Sequence, residues 1–201
     1  MKKIVEKIFQ DSIVLKRAFL SRNTGKIILL AEKVAAAFTA DRKLMICGNG
    51  GSAADSQHIA AEFVNRYMLE RPPLPAMALT TDTSVITCIG NDYSFDSIFS
   101  KQVKALGMEG DVLLALSTSG ESENVLRAVR DARAGGLYTA AFLGGDGGRI
   151  AGEVDLPVIV ESTDTPRIQE VHITAGHALC HLVDHLLFHE PVRVNGSGAP
   201  R

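Results

Sequence analysis

The sequence predicts an α/β protein: a doubly wound, five-stranded parallel sheet preceded by an N-terminal helical hairpin. Three observations carry this prediction. Five short apolar runs show little apolar–polar alternation, which is typical of parallel strands covered on both faces. Helical stretches separate these runs, as in doubly wound sheets. Two further helical stretches precede the first run.

The N-terminal region, residues 1–40, is predicted to form a pair of helices. Apolar residues recur at helical spacing over 8–20 and again over 27–38, and Asn23-Thr-Gly25 lies between the two stretches. Each stretch has an apolar stripe that must be buried. We therefore expect the pair to pack on the sheet or on a partner subunit.

The region 41–189 contains the predicted sheet, and 190–201 is predicted to be a flexible tail. Strands are predicted at 44–47, 76–79, 112–117, 139–143 and 156–159. Helices are predicted at 52–67, 95–106, 123–134 and about 166–188. Ligands of such sheets bind beyond the carboxyl ends of the strands, so the loops at that edge are where function is expected.

Composition excludes several classes of protein. The 201 residues carry a net charge of −2, which gives no electrostatic argument for binding nucleic acid or an anionic membrane. The apolar runs are shorter than the roughly 20 residues that span a bilayer. Charges interrupt the N-terminal segment, so it does not resemble a signal peptide. Cys47, Cys88 and Cys180 are expected to be buried, reduced thiols of a cytoplasmic protein.

The first junction between a strand and a helix combines a glycine loop with a possible proton-transfer pair. Gly48, Asn49, Gly50, Gly51 and Ser52 follow the first strand directly. Glycines let the backbone approach a ligand, and the first N–H groups of a helix attract an anion. His58 and Glu62, four residues apart, project from one face of that helix. The loop lacks the nucleotide-binding patterns G-x-x-x-x-G-K-[ST] and G-x-G-x-x-G, and a plain turn remains the alternative.

A second junction, after the strand at 112–117, is rich in hydroxyl groups: Ser117, Thr118, Ser119 and Ser122. Hydroxyls and backbone N–H groups can form an anion nest without a basic side chain. The alternative is helix capping by Ser119 or Ser122. A single cap accounts for only one of these serines, so phosphate or polyol binding is favoured.

Other polar clusters have simpler interpretations. Asn91-Asp92 and the glycine-rich segment 144–148 are typical of loops and turns. The last helix carries His172, His177, His181, His185 and His189, most of them expected on a polar or subunit-facing stripe. Gln169 and His177 lie eight residues apart, or about 80° around the helix axis, so both side chains can reach one cleft.

Taken in order, these motifs resemble those of the phosphoheptose isomerase family, within the sugar isomerase (SIS) domain superfamily. The segments that carry the resemblance are Cys47-Gly-Asn-Gly-Gly-Ser52, His58-Ile-Ala-Ala-Glu62, Arg71-Pro, Gly90-Asn-Asp92, Ser117-Thr-Ser-Gly-Glu-Ser122 and Arg167-Ile-Gln-Glu-Val-His172. The resemblance extends from the N-terminal helices to about residue 188. It implies an SIS-type, flavodoxin-like fold.

The resemblance also implies an activity. Members of this family are aldose–ketose isomerases that convert sedoheptulose 7-phosphate to D-glycero-D-manno-heptose 7-phosphate through an enediol. This is the first step of ADP-heptose biosynthesis for lipopolysaccharide cores or surface glycans. Members are cytoplasmic homotetramers without a nucleotide cofactor, and their active sites lie at subunit contacts.

By the same resemblance, Glu62 is the general base and His177 the partner acid. Some members bind zinc, one ion per subunit, through residues matching His58, Glu62, Gln169 and His177. The sugar phosphate site is formed by residues matching Asn49, Gly50, Gly51, Ser52, Glu62, Asn91, Asp92, Ser117, Thr118, Ser119, Ser122 and Gln169. One departure is Pro166, which stands before Arg167 where some members have an acidic residue.

Two alternatives come from other functional classes. A close paralogue in the superfamily is a non-enzymatic tetramer that binds the bacterial replication initiator protein. It is expected to lack the base and the acid, whereas this chain has both Glu62 and His177. A sugar-phosphate-sensing regulatory domain is the other alternative, and the absence of an appended DNA-binding segment argues against it. The enzyme is therefore favoured.

Overall fold

A computed structural model describes residues 1–188 and contains a five-stranded, all-parallel sheet. The strands are β1 (Leu44–Gly48), β2 (Ala76–Ala78), β3 (Val112–Ser117), β4 (Tyr138–Gly144) and β5 (Leu156–Val160). Their order across the sheet is β2-β1-β3-β4-β5, so β1 and β3 are hydrogen-bonded neighbours near its centre. The predicted fold class is confirmed.

Helices connect the strands and cover both faces of the sheet. They are α1 (Lys2–Thr39), α2 (Gly51–Val64), α3 (Thr83–Asp92), α4 (Ile98–Leu106, preceded by a 3₁₀ turn at Phe95–Ser97), α5 (Glu123–Ala134), α6 (Gly148–Ala151) and α7 (Thr165–Phe188). One core contains apolar residues of α1, α2 and α7, and the other contains residues of α3, α4 and α5. Successive β1 residues alternate between them: Leu44 and Ile46 belong to the first core, Met45 and Cys47 to the second. The apolar strands thus have both faces buried, as their composition predicts.

The predicted N-terminal hairpin is wrong, because Lys2–Thr39 forms one helix of 38 residues. The expected break at Asn23-Thr-Gly25 is absent since its polar groups find partners within the helix and beyond it. The Asn23 amide donates to the carbonyls of Phe19 and Ile159, each at 3.2 Å, and the Thr24 hydroxyl donates to the carbonyl of Leu20. Asn23 is buried, and the contact with Ile159 attaches the middle of α1 to β5.

Smaller differences concern α2, α3 and the cysteines. Helix α2 ends at Val64, earlier than residue 67, and Asn91-Asp92 forms the end of α3 rather than a turn. All three cysteines are free, but Cys88 on α3 is exposed, contrary to expectation. No helix within residues 1–188 is long and apolar enough to cross a membrane. His189 and the tail predicted for 190–201 lie outside the described residues.

Candidate active site

The two predicted anion-binding loops lie side by side at the carboxyl edge of the sheet. The glycine loop follows β1 and the serine-rich loop follows β3, and Gly48 of β1 is in register with Leu116 of β3. A reciprocal amide pair joins the loops: each side-chain amide of Asn49 and Asn124 donates to the other's carbonyl oxygen at 2.9 Å. Asn124 is buried at the start of α5. The pair therefore fixes the distance between the two loops.

Close packing explains Gly48 at the end of β1 and Gly51 at the start of α2, and backbone conformation explains Gly50. A Cβ at Gly48 would lie 2.8 Å from the Cβ of Ser52, and Gly50 has a φ of +54°, in the left-handed region. At Gly51 a Cβ would meet the amide nitrogen of Gln169 at 2.5 Å. Gln169 comes from α7, so its side chain lies directly against the beginning of α2. This helix starts without a side-chain cap, as suits an anion-binding terminus.

The serine-rich loop is ordered by its own hydroxyl groups. The Ser117 hydroxyl accepts a hydrogen bond from the backbone N–H of Gly120 at 3.1 Å and lies 3.3 Å from the Ser122 hydroxyl. Ser119 accepts from the N–H of Glu121 at 3.2 Å. Ser122 occupies the N-cap position of α5, but its side chain makes no capping hydrogen bond. Capping, the alternative interpretation of these serines, does not account for them.

The glycine-rich segment after β4 supports this loop. A Cβ at Gly120, where φ is +68°, would lie 2.1 Å from the carbonyl oxygen of Gly147. The backbones of the two loops are thus in direct contact. The Arg149 guanidinium adds a second attachment, since its Nε donates to Glu121 at 2.7 Å and its Nη2 donates to the backbone carbonyl of Glu121 at 2.9 Å. The segment 144–148 is therefore a support for the serine-rich loop and more than a connecting turn.

His58 and Glu62 of α2 and His177 of α7 converge on one point. Nε2 of His58 lies 3.2 Å from a Glu62 carboxylate oxygen and 3.1 Å from Nε2 of His177. One potential ligand atom from each of the three residues lies within 4.8 Å of the others. The His58 side chain is 49% exposed and that of Glu62 is 23% exposed, so the cluster is open to a ligand. The one-face prediction for His58 and Glu62 is confirmed.

The chemistry of these three side chains fits a metal ion. Two imidazole nitrogens and a carboxylate oxygen are donors that zinc commonly takes in proteins. Their convergence on one small volume is what a shared cation requires. Gln169, implied as a fourth ligand, has its amide against Gly51.

Asp55 belongs to the same cluster, although the sequence analysis missed it. Burial raises the pKa of its carboxyl group, and the nearby His58 and His177 partly oppose this effect. Its Oδ2 atom is buried and has no hydrogen-bond partner in the part of the chain described. Asp55 lies three residues before His58 on α2. Its i, i+3 spacing to His58 places it on the same side of α2, although spacing does not reveal the burial of its carboxyl group.

Asn91 and Asp92 end α3, and both are exposed. The Asn91 amide donates to the Asp92 carboxylate at 2.8 Å. These two side chains thus bind each other, and their role in a substrate site stays a prediction.

Comparison with known proteins gives the class of this chain. Residues 9–144 match the model of the SIS domain family. A phosphoheptose isomerase of Nitratidesulfovibrio vulgaris is 56% identical over 87% of this chain and 84% of its own length. One from Clostridium acetobutylicum is 50% identical over 96% of this chain and 99% of its own length. The solved phosphoheptose isomerase of Neisseria gonorrhoeae superimposes with a TM-score of 0.86 at 45% identity, covering 91% and 98% of the two chains.

The chain is accordingly an SIS-domain protein with a flavodoxin-like parallel sheet and a histidine–carboxylate site at its carboxyl edge. Within that class it belongs to the phosphoheptose isomerase family and is an isomerase.

Proposed function

We propose that this chain converts sedoheptulose 7-phosphate to D-glycero-D-manno-heptose 7-phosphate. The observation that carries the proposal is the convergence of His58, Glu62 and His177 beside two anion-binding loops. The similarity to enzymes named phosphoheptose isomerase supports it. The product would enter ADP-heptose biosynthesis for lipopolysaccharide cores or surface glycans.

The reaction moves a carbonyl group from C2 to C1 and needs a base and an acid. Glu62 removes the C1 proton, which gives an enediol, and the return of that proton to C2 gives the aldose. His177 protonates or polarises the oxygen on which negative charge develops, and loss of the C1 hydroxyl proton completes the exchange. The partial burial of Glu62 suits this role, because fewer water molecules can reach the carboxylate and compete for the C1 proton.

Recognition of the substrate is assigned to the two loops and to residues around them. We place the phosphate on the serine-rich loop. This loop has no fixed positive charge, so its hydroxyls and N–H groups would bind the phosphate. The sugar hydroxyls then extend over the glycine loop toward Glu62. The proposed binding residues are Asn49, Gly50, Gly51, Ser52, Glu62, Asn91, Asp92, Ser117, Thr118, Ser119, Ser122 and Gln169.

Zinc is the proposed metal, one ion per subunit. His58, Glu62 and His177 would hold it, with Gln169 as the fourth ligand. When bound, zinc would polarise the oxygens between which the carbonyl moves. Glu62 is thus proposed both as a ligand of the ion and as the base.

We further propose that the protein works as a homotetramer in the cytoplasm. An apolar stripe on the first half of α1 supports the assembly: Val5, Phe9 and Ile13 are exposed and spaced four residues apart, and Ile4 and Val14 are exposed as well. Burial of such a stripe against other subunits would stabilise them by about 25 cal/mol for each Å² removed from water.

The direct test is incubation of purified protein with sedoheptulose 7-phosphate, with and without added zinc, while aldose formation is followed. We expect turnover without nucleotide, nicotinamide or flavin. Folded protein that leaves this substrate unchanged under both conditions would contradict the proposal.

A further inference from the structure

The segment between α2 and β2 carries a buried arginine that the proposed chemistry does not use. The side chain of Arg71 is 1% exposed and that of its partner Asp184 is 6% exposed. Burying such an ion pair is costly unless the charged groups are well hydrogen-bonded. The contacts of Arg71 therefore indicate what the pair connects.

Arg71 joins the last turn of α2 to α7. Its Nη2 donates to the backbone carbonyl of Glu62 at 2.9 Å and its Nη1 to that of Phe63 at 2.8 Å. Its Nε donates to Asp184 of α7 at 2.7 Å. The guanidinium also lies over the Phe188 ring, 5.9 Å from its centroid. The last carbonyls of a helix have no partner within it, and a fork of N–H groups can satisfy two of them at once.

Both ends of this connection lead to the proposed catalytic pair. One carbonyl that Arg71 binds belongs to Glu62 itself. Asp184 follows His177 by seven residues on α7, about two helical turns, so both side chains project from the same face. The length of the Arg71 side chain thus contributes to the spacing between the helices that carry Glu62 and His177.

Tyr67, in the same segment, holds the imidazole directly. Its ring stacks on His177 with centroids 5.5 Å apart and planes at 28°, and it makes a T-shaped contact with His181, with centroids 6.2 Å apart. His58 contacts the same His177 ring edge-on, at 5.0 Å. His177 is therefore held between His58 of α2 and a side chain from the segment that Arg71 anchors.

We propose that Arg71 and Tyr67 form a clamp that sets the position of His177 relative to His58 and Glu62. Both are positioning residues, and the inference rests on the proposed isomerase function. The clamp acts at the C-terminal end of α2, about 20 Å from its N-terminal glycine loop, and the contacts described above involve no residue of the serine-rich loop on which the phosphate is placed. Loss of the clamp should therefore slow the proton transfers and leave phosphate binding intact. If the buried pair of Arg71 and Asp184 only stabilised the fold, its loss would not affect proton transfer and phosphate binding differently.

The test uses Arg71→Lys, Tyr67→Ala and the conservative variant Tyr67→Phe. Lysine keeps the charge beside Asp184 but cannot span both carbonyls of α2, and alanine removes the stacked ring. Arg130→Gln is the control, because it removes an ion pair between exposed Arg130 of α5 and Glu153, which lies between α6 and β5. The measurements are kcat and KM with sedoheptulose 7-phosphate, the shift in Tm on adding inorganic phosphate, and the ring ¹H–¹⁵N resonances of His58 and His177.

We expect kcat to fall about ten- to a hundredfold in Arg71→Lys and Tyr67→Ala, with KM within about threefold of wild type. The phosphate-dependent Tm shift should be unchanged, and Tyr67→Phe and Arg130→Gln should resemble wild type. The His177 resonances should move in Arg71→Lys, although Arg71 does not touch that ring.

Wild-type kcat in both variants, a rise in KM as large as the fall in kcat, or unmoved His177 resonances in Arg71→Lys would overturn the clamp. If Arg71→Lys does not fold, the comparison of Tyr67→Ala with Tyr67→Phe decides, because Tyr67 is only partly buried. A wild-type protein inactive on this substrate would refute the proposed function alone. The resonance measurements would then still test the clamp.

Discussion

At the scale of single residues, ionisable groups in similar positions have very different surroundings. Glu62 and His58 are open to a ligand, whereas Asp55 has a buried, unpartnered oxygen beside them. His172, one turn and a half before His177 on α7, is almost completely buried against Phe142 and the carbonyl of Leu143. These surroundings decide which groups can exchange protons during a reaction and which affect stability.

Replacing Glu62 by glutamine tests the base. The change preserves size and hydrogen bonding but removes the carboxylate, so we expect kcat to fall by about 10²–10⁴-fold. Steady-state kinetics on sedoheptulose 7-phosphate, with Tm as the check on folding, measure this effect. Glu109→Gln is the matched control, because Glu109 is exposed and precedes β3, at the opposite edge of the sheet. Near-normal turnover in Glu62→Gln would refute the assignment.

His172 should make the fold sensitive to acid. Burial lowers its pKa from 6.5 to about 4, although its contact with the Leu143 carbonyl opposes the shift. Between these values the unfolded chain binds a proton that the folded chain does not, so stability is full above about pH 6.5 and decreases as the pH falls toward 4. The loss is at most about 3 kcal/mol.

Urea unfolding of wild type and His172→Asn between pH 4 and pH 7 measures this contribution, since the other titrating groups are common to both. The wild-type protein should lose more stability over the acidic half of this range. Parallel pH profiles for the two proteins would show that His172 does not contribute.

The sequence predicted some of these residues for physical reasons and missed others. The spacing of His58 and Glu62 was enough, because two residues four apart on a helix must share a face. His177 is 115 or more residues away, and only the resemblance paired it with them; its approach to within 3.1 Å of His58 depends on how α7 packs on α2. Asp55 has a local signal, but its importance comes from burial, which its spacing does not reveal.

At the scale of elements, the site depends on how the ends of α2 meet their neighbours. Its beginning lies against Gln169 of α7, and its end is joined to Asp184 of the same helix through Arg71. The helix pair therefore has contacts at both ends of α2, with the proposed catalytic side chains between them. The position of each proposed functional group therefore depends on how α2 and α7 pack together.

A double-mutant cycle tests the contact at the beginning of α2. Gly51 has an ordinary φ, so alanine is allowed there, but its Cβ would displace the Gln169 amide. We expect Gly51→Ala to lower kcat/KM about tenfold or more in the wild-type background and to have little further effect in Gln169→Ala, because residues in contact are not additive. Additive effects of the two changes would show that Gly51 acts independently of Gln169.

The serine-rich loop should bind phosphate through several modest hydrogen bonds. Each is worth about 0.5–1.5 kcal/mol, so Ser119→Ala or Ser122→Ala should weaken substrate binding about tenfold. Inorganic phosphate should raise the Tm of wild type, and less so that of the double variant at equal concentration. Ser21→Ala, on α1, is the control. Equal protection in the double variant would place the phosphate elsewhere, with the glycine loop as the first candidate.

Elements with strong local signals were easier to predict than those that depend on distant contacts. Val112–Ser117 and Glu123–Ala134 have the predicted limits, because apolar runs and amphipathic periodicity are local signals. The continuity of α1 through Asn23 was not predictable in this way, since it depends on a carbonyl of β5 that is 136 residues distant. Helix α3 was hard to predict for another reason, because it carries few strong helix formers. It is capped by Asp82, whose carboxylate accepts from the N–H of Val85.

At the scale of the whole molecule, α1 extends beyond the region it covers. Its second half contributes Ile27, Leu30 and Val34 to the core beside α7. Its first nine residues, 2–10, are all exposed, although several are large and apolar. A helix with this surface is expected to pack on another subunit.

The proposed assembly can be tested by light scattering. Wild type should have about four times the 21.5 kDa mass of one chain at micromolar concentration. Phe9→Asp combined with Ile13→Asp places two charges on the exposed stripe and should lower that mass. Leu106→Asp, at an exposed apolar position on α4, is the control and should not. A monodisperse wild-type monomer would refute the tetramer.

The contact between Gly120 and Gly147 also constrains how this sequence can diverge. The two residues lie 27 positions apart in the chain, yet a Cβ on Gly120 would overlap the Gly147 carbonyl. A larger residue at Gly120 would therefore require a shift of the neighbouring backbone, which changes in the other loop could provide. In an alignment of relatives, the two loops should consequently show correlated changes in length and in glycine content, even where their other residues vary freely. The segment 144–148 would then preserve the shape of the serine-rich loop among relatives, although it need not touch the substrate.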